Sequence, residues 1–192
     1  MASLLKQLPS VERLVADDPL IKGIWCVPKY QNPTGYTFSD AVVNRLARLG
    51  TRAGPNFRIM WDNAYAVHDL YADPPPLANL MDRCRVEGTT DSVVLFGSTS
   101  KITRAGAGIS FLAASPVNLA HFKQRLAVQT IGPDKVNQLR HVRFLQDLPG
   151  IQAHMRRHAE IVRPKFECVL RYLDQQLKGV ADWTRPRGGY FL

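Results

Sequence analysis

The side chains of this sequence that could do chemistry are grouped around Lys101, in the segment Ser98-Thr99-Ser100-Lys101. An apolar run over residues 92–96 predicts a buried strand that ends just before this segment. Ligands of open α/β sheets bind beyond the carboxyl ends of the strands. A lysine at that place, beside small hydroxyl side chains, could contact a phosphate or attack a carbonyl carbon with its amine. An isolated Ser-x-Ser-Lys occurs more often in ordinary loops, so the prediction depends on the segments that precede it.

Two earlier polar side chains also follow predicted strands. Residues 21–28 and 57–61 have the apolar composition of strands; the first runs into a sharp turn at Asn32, and the second ends at Asp62. Predicted helices separate the three strands, one of them capped by Ser39. Alternating strands and helices imply parallel strands joined by crossover helices. Asn32, Asp62 and Lys101 should therefore lie along one edge of the sheet.

The rest of the chain adds a strand and several helices to this prediction. Residues 109–114 could form a strand of either direction, and residues 118–129 and 134–148 are predicted to be helical. A long amphipathic pattern follows over residues 151–177, where Pro164 should kink or interrupt the helix. This pattern contains two histidines one helical turn apart, His154 and His158. No further zinc ligands can be placed near them, so we expect surface histidines and no metal site.

Composition limits the classes of protein to which the chain can belong. The 192 residues carry a net charge of +9, and the basic residues between 123 and 171 lie among apolar ones at helical spacing. That pattern is typical of a solvated helix face, so we expect no nucleic-acid partner. The sequence has no run of about 18 apolar residues and no signal-peptide pattern, which favours a cytoplasmic protein with no membrane partner. The three cysteines are predicted to be buried thiols.

Four segments together are far more specific than any one of them alone. They are Asn32-Pro33-Thr34-Gly35, Asp62-Asn63-Ala64-Tyr65, Ser98-Thr99-Ser100-Lys101 and Pro186-Arg187-Gly188-Gly189-Tyr190. In order and approximate spacing they resemble the fold-type-I aminotransferases (class I/II) that use pyridoxal 5'-phosphate, and within them a bacterial aspartate aminotransferase subgroup. The resemblance implies an α/β fold. Residues 1–149 would be part of a large cofactor-binding domain, with a mostly parallel sheet and crossover helices. Residues 150–192 would be the long helix and first strand of a smaller, incomplete α+β domain, so the chain looks like a fragment.

The resemblance also implies a role for each polar side chain. Lys101 would form an imine with the cofactor aldehyde and move the α-proton of the substrate. Asp62 would keep the cofactor ring nitrogen protonated. Tyr65 and Asn32 would donate hydrogen bonds to the phenolate oxygen of the cofactor. The phosphate would be bound by the hydroxyl groups of two serines, Ser98 and Ser100.

The chain departs from the family pattern at the phosphate. Family members usually carry an arginine seven or eight residues after the lysine, where this sequence has Gly108 and Ile109. Arg104 is the nearest candidate for that role. The family's upstream aromatic residue and glycine-rich turn are not visible before Ile21, and its carboxylate-binding arginine would lie beyond Leu192.

The implied function is transfer of an amino group between an acidic amino acid and a 2-oxo acid through a lysine-bound imine. Family members are homodimers, so the full-length enzyme should also be one. Two alternatives stay open at this point. The chain could be a catalytically incomplete fragment, or a non-enzymatic regulatory or interaction module that retains the fold. It could also be a nucleic-acid-binding domain that uses its basic helices.

Overall fold

The computed structural model describes residues 2–192, which form a four-stranded sheet with helices around it. The strands are β1 (Gly23–Cys26), β2 (Arg58–Asp62), β3 (Val93–Ser98) and β4 (Ser110–Ala114), in the spatial order β1-β2-β3-β4. The first three strands are parallel, and β4 is antiparallel to β3. The predicted α/β class with a mostly parallel sheet is confirmed. The direction of β4, which the sequence left open, is antiparallel because the β3–β4 connection holds no crossover helix.

Six α-helices accompany the sheet in the described part of the chain: α1 (Ala2–Asp17), α2 (Asp40–Leu49), α3 (Leu80–Glu87), α4 (Pro116–Gln129), α5 (Lys135–Leu145) and α6 (Leu148–Gln176). Side chains cap the starts of several of them. Ser39 accepts a hydrogen bond from the backbone N–H of Val42 at the start of α2, as predicted, and Asp147 accepts one from Gly150 at the start of α6. None of the described helices is both long and apolar enough to cross a membrane.

Two helix predictions differ from the structure. The helix expected over residues 134–148 ends at Leu145, because Gln146 takes a positive φ of 62° and Asp147 then caps the next helix. Pro164 does not interrupt α6. Packing explains its tolerance, since Ala159 and Phe166 on either side of the proline are buried against Leu70.

The main core lies between one face of the sheet and helices α2 and α3. Ile59 and Trp61 of β2 point into it together with Val93 of β3, and Leu46 of α2 packs there at 1% exposure. Because side chains alternate along a strand, Asp62 must point to the opposite face from Trp61. That second face carries two of the polar residues predicted to do chemistry, Asp62 and Ser98.

Replacing Leu46 with alanine should lower the free energy of unfolding by about 2–5 kcal/mol, because the truncation removes buried methyl groups and leaves a cavity. Denaturant unfolding followed by circular dichroism measures the effect. The matched control is Leu14→Ala on α1, where the leucine is 58% exposed. The control should change stability by no more than about 0.5 kcal/mol. Equal losses for the two variants would contradict this placement of the core.

The segment after α6 does not form the expected strand. Among the described residues, Gly188 pairs with Asp69 only as an isolated antiparallel bridge. Gly189 follows with φ of +75°, which ends the extended conformation. The cysteine prediction is also partly wrong: Cys26 and Cys84 are buried thiols, whereas Cys168 on α6 is partly exposed.

Candidate active site

Lys101 lies in a tight turn after β3 and contacts a buried tyrosine. The turn is closed by the backbone N–H groups of Ile102 and Thr103, which both donate to the carbonyl of Thr99 at 2.9 Å. The Nζ of Lys101 donates a hydrogen bond of 2.6 Å to the hydroxyl oxygen of Tyr65, and it lies 4.3 Å from the ring centroid. Tyr65 is only 2% exposed. The amine therefore has a defined position beside a phenol, although the lysine side chain as a whole is exposed.

The loop that follows β2 positions Tyr65. Beyond the end of that strand, the backbone N–H of Asn63 still donates to the carbonyl of Phe96 at 2.9 Å, which keeps the loop beside β3. The parallel register pairs Asp62 with Phe96 directly. Since β2 and β3 end at the same edge of the sheet, the residues after the two strands meet there, as the sequence predicted.

Asp62 and Ser98 line one cavity on the second face of the sheet. The cavity has a volume of about 660 Å³, and residues of β4 and α4 complete its walls. Its floor includes two stacked rings, Trp25 and Phe96, with centroids 5.6 Å apart and an angle of 6° between planes. A carboxylate and a serine hydroxyl thus line the same cavity, which has aromatic rings on one side and lies at the carboxyl ends of the strands.

The two predicted serines form a hydroxyl pair. The Oγ atoms of Ser98 and Ser100 lie 2.7 Å apart, and the backbone N–H of Ser100 donates to Ser98 Oγ at 3.0 Å. Gly108 packs directly on this pair, since a Cβ there would lie 2.7 Å from the Ser100 Cα and 2.8 Å from its nitrogen. Only glycine allows so close an approach of the two backbone segments.

The predicted Asn32 lies in a turn next to this site, but its own side chain is exposed. It makes no hydrogen bond to any of residues 8–192 whose side chains are described. The turn packs on the end of the chain, where Gly35 (φ +67°) would place a Cβ 2.7 Å from the Phe191 carbonyl. The Phe191 ring in turn contacts the edge of the Tyr65 ring, with centroids 5.8 Å apart. The four sequence segments therefore converge, while the amide of Asn32 itself does not reach Tyr65.

Arg104 lies in a different cavity from Asp62 and Ser98. Its cavity, of about 470 Å³, is also lined by Arg140 and His141 of α5 and by His154 of α6. The hydroxyl of Thr103, the preceding residue, lies 3.0 Å from His141 Nε2. Because this contact holds the segment against α5, the structure does not bring Arg104 to the serine pair.

Comparison with known proteins identifies the family of the chain. A model of the family described as aspartate amino-transferase matches residues 6–192. The chain belongs to the aspartate aminotransferase family. An aspartate aminotransferase of Corynebacterium glutamicum is 45% identical to this family member over 187 residues, which are 96% of this chain and 43% of that protein.

Solved structures show the same fold. The crystal structure of an aspartate transaminase from Corynebacterium glutamicum has a TM-score of 0.90 at 44% identity, and it covers 95% of this chain and 43% of the other. An alpha-aminoadipate aminotransferase from Thermus thermophilus, complexed with N-(5'-phosphopyridoxyl)-L-leucine, has a TM-score of 0.77 at 24% identity over 95% of this chain and 45% of the other. The chain spans less than half the length of these aminotransferases.

The sequence reasoning missed His68, which holds the backbone of Lys101 in this family member. His68 Nε2 lies 3.0 Å from the carbonyl oxygen of Lys101. A carbonyl oxygen can only accept, so Nε2 must carry the hydrogen and donate it. The other ring nitrogen, Nδ1, is buried and has no hydrogen-bond partner among the described residues. His68 is 2% exposed, and burial lowers its pKa to about 4, so the ring is neutral near pH 7.

An ion pair beside His68 anchors the loop that carries it. The Asp69 carboxylate accepts from Lys29 Nζ at 2.7 Å and from the Tyr30 hydroxyl at 2.6 Å. Burial, reinforced by the hydrogen bond to Asp69, raises the pKa of Tyr30 above its usual range. Both partners come from the connection after β1, and they tie the loops after β1 and β2 together.

The structure also corrects the interpretation of His154 and His158 as surface histidines. His154 Nε2 lies 2.7 Å from the carbonyl oxygen of Ile102, so α6 reaches the Lys101 turn directly. His158 Nε2 lies 2.9 Å from the hydroxyl of Tyr190. The i, i+4 spacing placed both rings on one face of the helix, but it did not indicate which partner that face would meet.

The folded state should lose stability in acid through His68. Its pKa of about 4 in the folded chain lies below the ordinary value of 6.5, so the unfolded state binds the proton more readily. The free energy of unfolding that the neutral His68 ring contributes is fully present above about pH 6.5 and is lost as the pH falls towards 4. At about pH 4.5 the loss is roughly 2–3 kcal/mol. The loss is measured by chemical denaturation of wild type and His68→Gln, once above about pH 6.5 and once at about pH 4.5. A stability difference between the two that does not change with pH would contradict the burial argument.

Proposed function

We propose that this chain carries the cofactor-binding core of an aminotransferase that uses pyridoxal 5'-phosphate to move an amino group between an acidic amino acid and a 2-oxo acid. The observation that carries the proposal is the 2.6 Å contact between Lys101 Nζ and the Tyr65 hydroxyl, at the edge of the sheet where β2 and β3 end. An amine held beside a phenol is arranged to react with a carbonyl carbon and afterwards to move a proton.

The residues present fit the ring end of the cofactor better than its phosphate end. Asp62 opens into the 660 Å³ cavity, where a carboxylate can lie next to a pyridine nitrogen. The Ser98–Ser100 pair and the adjacent backbone offer hydroxyl groups to a phosphate. The basic side chains in the wall of this cavity are those of Lys123 and Arg125 on α4. Arg104, the predicted cationic partner of the phosphate, lines the other cavity. Asn32 and Arg104 stay proposals on family resemblance alone.

Each side chain then has a distinct task. When bound, the cofactor supplies an aldehyde carbon for an amine and a ring that takes up electron pairs. Lys101 Nζ would be the amine that holds that carbon and, once a substrate amine has displaced it, would carry the α-proton. The Tyr65 hydroxyl accepts from this amine and fixes its direction. The Asp62 carboxylate favours the protonated form of a neighbouring ring nitrogen.

The acidic substrate is proposed from the names of the relatives, of which the chain covers 43%. A homodimer is supported by the large apolar side chains that α4, α5 and their connection expose. Val128 is 87% exposed, Val136 is 64% exposed and Phe144 is 60% exposed. Such side chains on neighbouring elements form a surface of the kind that subunits bury.

The test is to assay the purified chain for transfer of the amino group from aspartate to 2-oxoglutarate, with added pyridoxal 5'-phosphate. Leucine as amino donor is the control for acidic specificity. Transfer from aspartate that exceeds transfer from leucine would support the proposal, and equal rates would remove the acidic preference.

A second candidate function is a non-enzymatic module that retains the fold, which the exposed side chain of Asn32 and the separate cavity of Arg104 favour. It predicts a folded chain that gains no visible absorbance with pyridoxal 5'-phosphate. It also predicts no borohydride-stable adduct. Either signal would exclude the module.

A further inference from the structure

The side-chain amine and the backbone carbonyl of Lys101 are both hydrogen-bonded to one short segment, residues 65–68. Tyr65 accepts from the amine at 2.6 Å, and His68, three residues later, donates to the backbone carbonyl of the same lysine at 3.0 Å. The two holding residues are themselves joined, because the backbone N–H of His68 donates to the Tyr65 carbonyl at 3.1 Å. Their rings meet edge to face, with centroids 5.6 Å apart.

His68 is in turn immobilised by what surrounds it. Its own carbonyl accepts from the backbone N–H of Gly189 at 2.9 Å, and the Tyr190 ring packs on the imidazole with centroids 5.4 Å apart. The next residue, Asp69, is fixed by its hydrogen bonds to the side chains of Lys29 and Tyr30. The ring therefore cannot follow Lys101 if the turn moves, and it acts as a fixed donor.

Helix α6 holds the same turn one residue further along. His154 Nε2 donates to the carbonyl of Ile102 at 2.7 Å, since that oxygen can only accept. Two successive carbonyls of the turn, those of Lys101 and Ile102, thus receive imidazole N–H groups from two distant parts of the chain. These carbonyls belong to two successive peptide units, so rotation of either unit would break one of the two hydrogen bonds.

We propose that His68 is a positioning residue for Lys101, supported by His154: it fixes the lysine backbone so that the amine stays at the Tyr65 hydroxyl. The effect on cofactor attachment rests on the proposed function, whereas the effect on the turn does not. Displacement of a reacting group by about 1 Å can reduce a rate by about 10²-fold. We expect a loss of about 10- to 10²-fold in the rate at which Lys101 attaches to an aldehyde when His68 no longer donates.

The test uses the full chain with His68→Leu, which removes the donor, and His68→Gln, whose amide nitrogen can replace Nε2. The matched control is His121→Gln on α4, where the native imidazole contacts Arg125 and lies outside the turn. The first readout needs no cofactor: amide hydrogen exchange of residues 99–104, measured by mass spectrometry. The second is the rate of borohydride-trapped attachment of pyridoxal 5'-phosphate to Lys101.

We expect faster exchange and slower attachment in His68→Leu, with values near wild type in His68→Gln and His121→Gln. Unchanged exchange in His68→Leu, or equal damage in the Leu and Gln variants, would overturn the proposal. If wild type attaches no cofactor at Lys101, the proposed function fails, but the exchange comparison still decides the positioning role. If His68→Leu does not fold, His68→Phe keeps an aromatic ring at this buried position but lacks the donor, with the same expected and contrary outcomes.

Discussion

Lys101→Ala should abolish the visible absorbance that pyridoxal 5'-phosphate gains on binding, together with the adduct that borohydride fixes. The amine at the Tyr65 hydroxyl is the group placed to attach to the aldehyde, and alanine has nothing to replace it. Because the same amine is the proposed general base, the rate of amino-group transfer in an active form should fall by about 10²- to 10⁴-fold. Absorbance spectra and mass mapping of the reduced adduct measure both effects.

The matched control is Lys165→Ala, since Lys165 is exposed on α6 and does not line the cavity of Asp62 and Ser98. It should keep the adduct on Lys101. Lys101→Ala also removes the hydrogen-bond partner of the buried Tyr65 hydroxyl, which should lower the free energy of unfolding by about 1–3 kcal/mol. The unfolding midpoint of the variant is therefore measured as well, so that loss of the signal is compared in folded protein. An adduct that persists in Lys101→Ala, or that maps to Lys123, would defeat the assignment.

Asp62→Asn should lower the rate of amino-group transfer by about 10²- to 10³-fold while the chain remains folded. The substitution keeps the size of the side chain but removes the negative charge that favours a protonated ring nitrogen. Without that proton the ring takes up electrons less well. The measurement is the transfer rate at saturating cofactor, together with the unfolding midpoint as a check on folding.

Asp62→Glu separates charge from shape, because it keeps a carboxylate one methylene further from the strand. It should recover part of the rate lost in Asp62→Asn. Equal rates for wild type and Asp62→Asn would show that the carboxylate does not act on the cofactor. Equal losses in the Asn and Glu variants would mean that position matters more than charge.

Local patterns were sufficient for the part of the site that follows the strands. Asp62 and Ser98 each end an apolar run, and parallel strands bring their carboxyl ends to one edge. The helix cap at Ser39 is equally local, since its side chain accepts from a backbone N–H three residues on. The sheet class and the position of Asp62 and Lys101 at or just beyond the ends of neighbouring strands could therefore be expected before any coordinates.

Arg104 and Asn32 mark where such patterns stopped being informative. Distance along the chain made Arg104 the nearest basic residue to Lys101, but the contact between Thr103 and His141 directs that segment to α5. Asn32 was placed by its motif, yet its turn presents the amide to solvent. In both cases a contact or an orientation outside the motif decided where the side chain went.

The residue order was enough to determine the strands, most of the helices, the α/β class and the family segments around Lys101, because each depends on neighbours a few positions apart. Folding decided the direction of β4, the split between α5 and α6, and the hydrogen bonds that His68 and His154 donate to the Lys101 turn. Those two histidines bond to carbonyls 33 and 52 residues away. Contacts over such separations form only when the sheet and α6 have packed, and a backbone carbonyl carries no signature in the sequence that would reveal its donor.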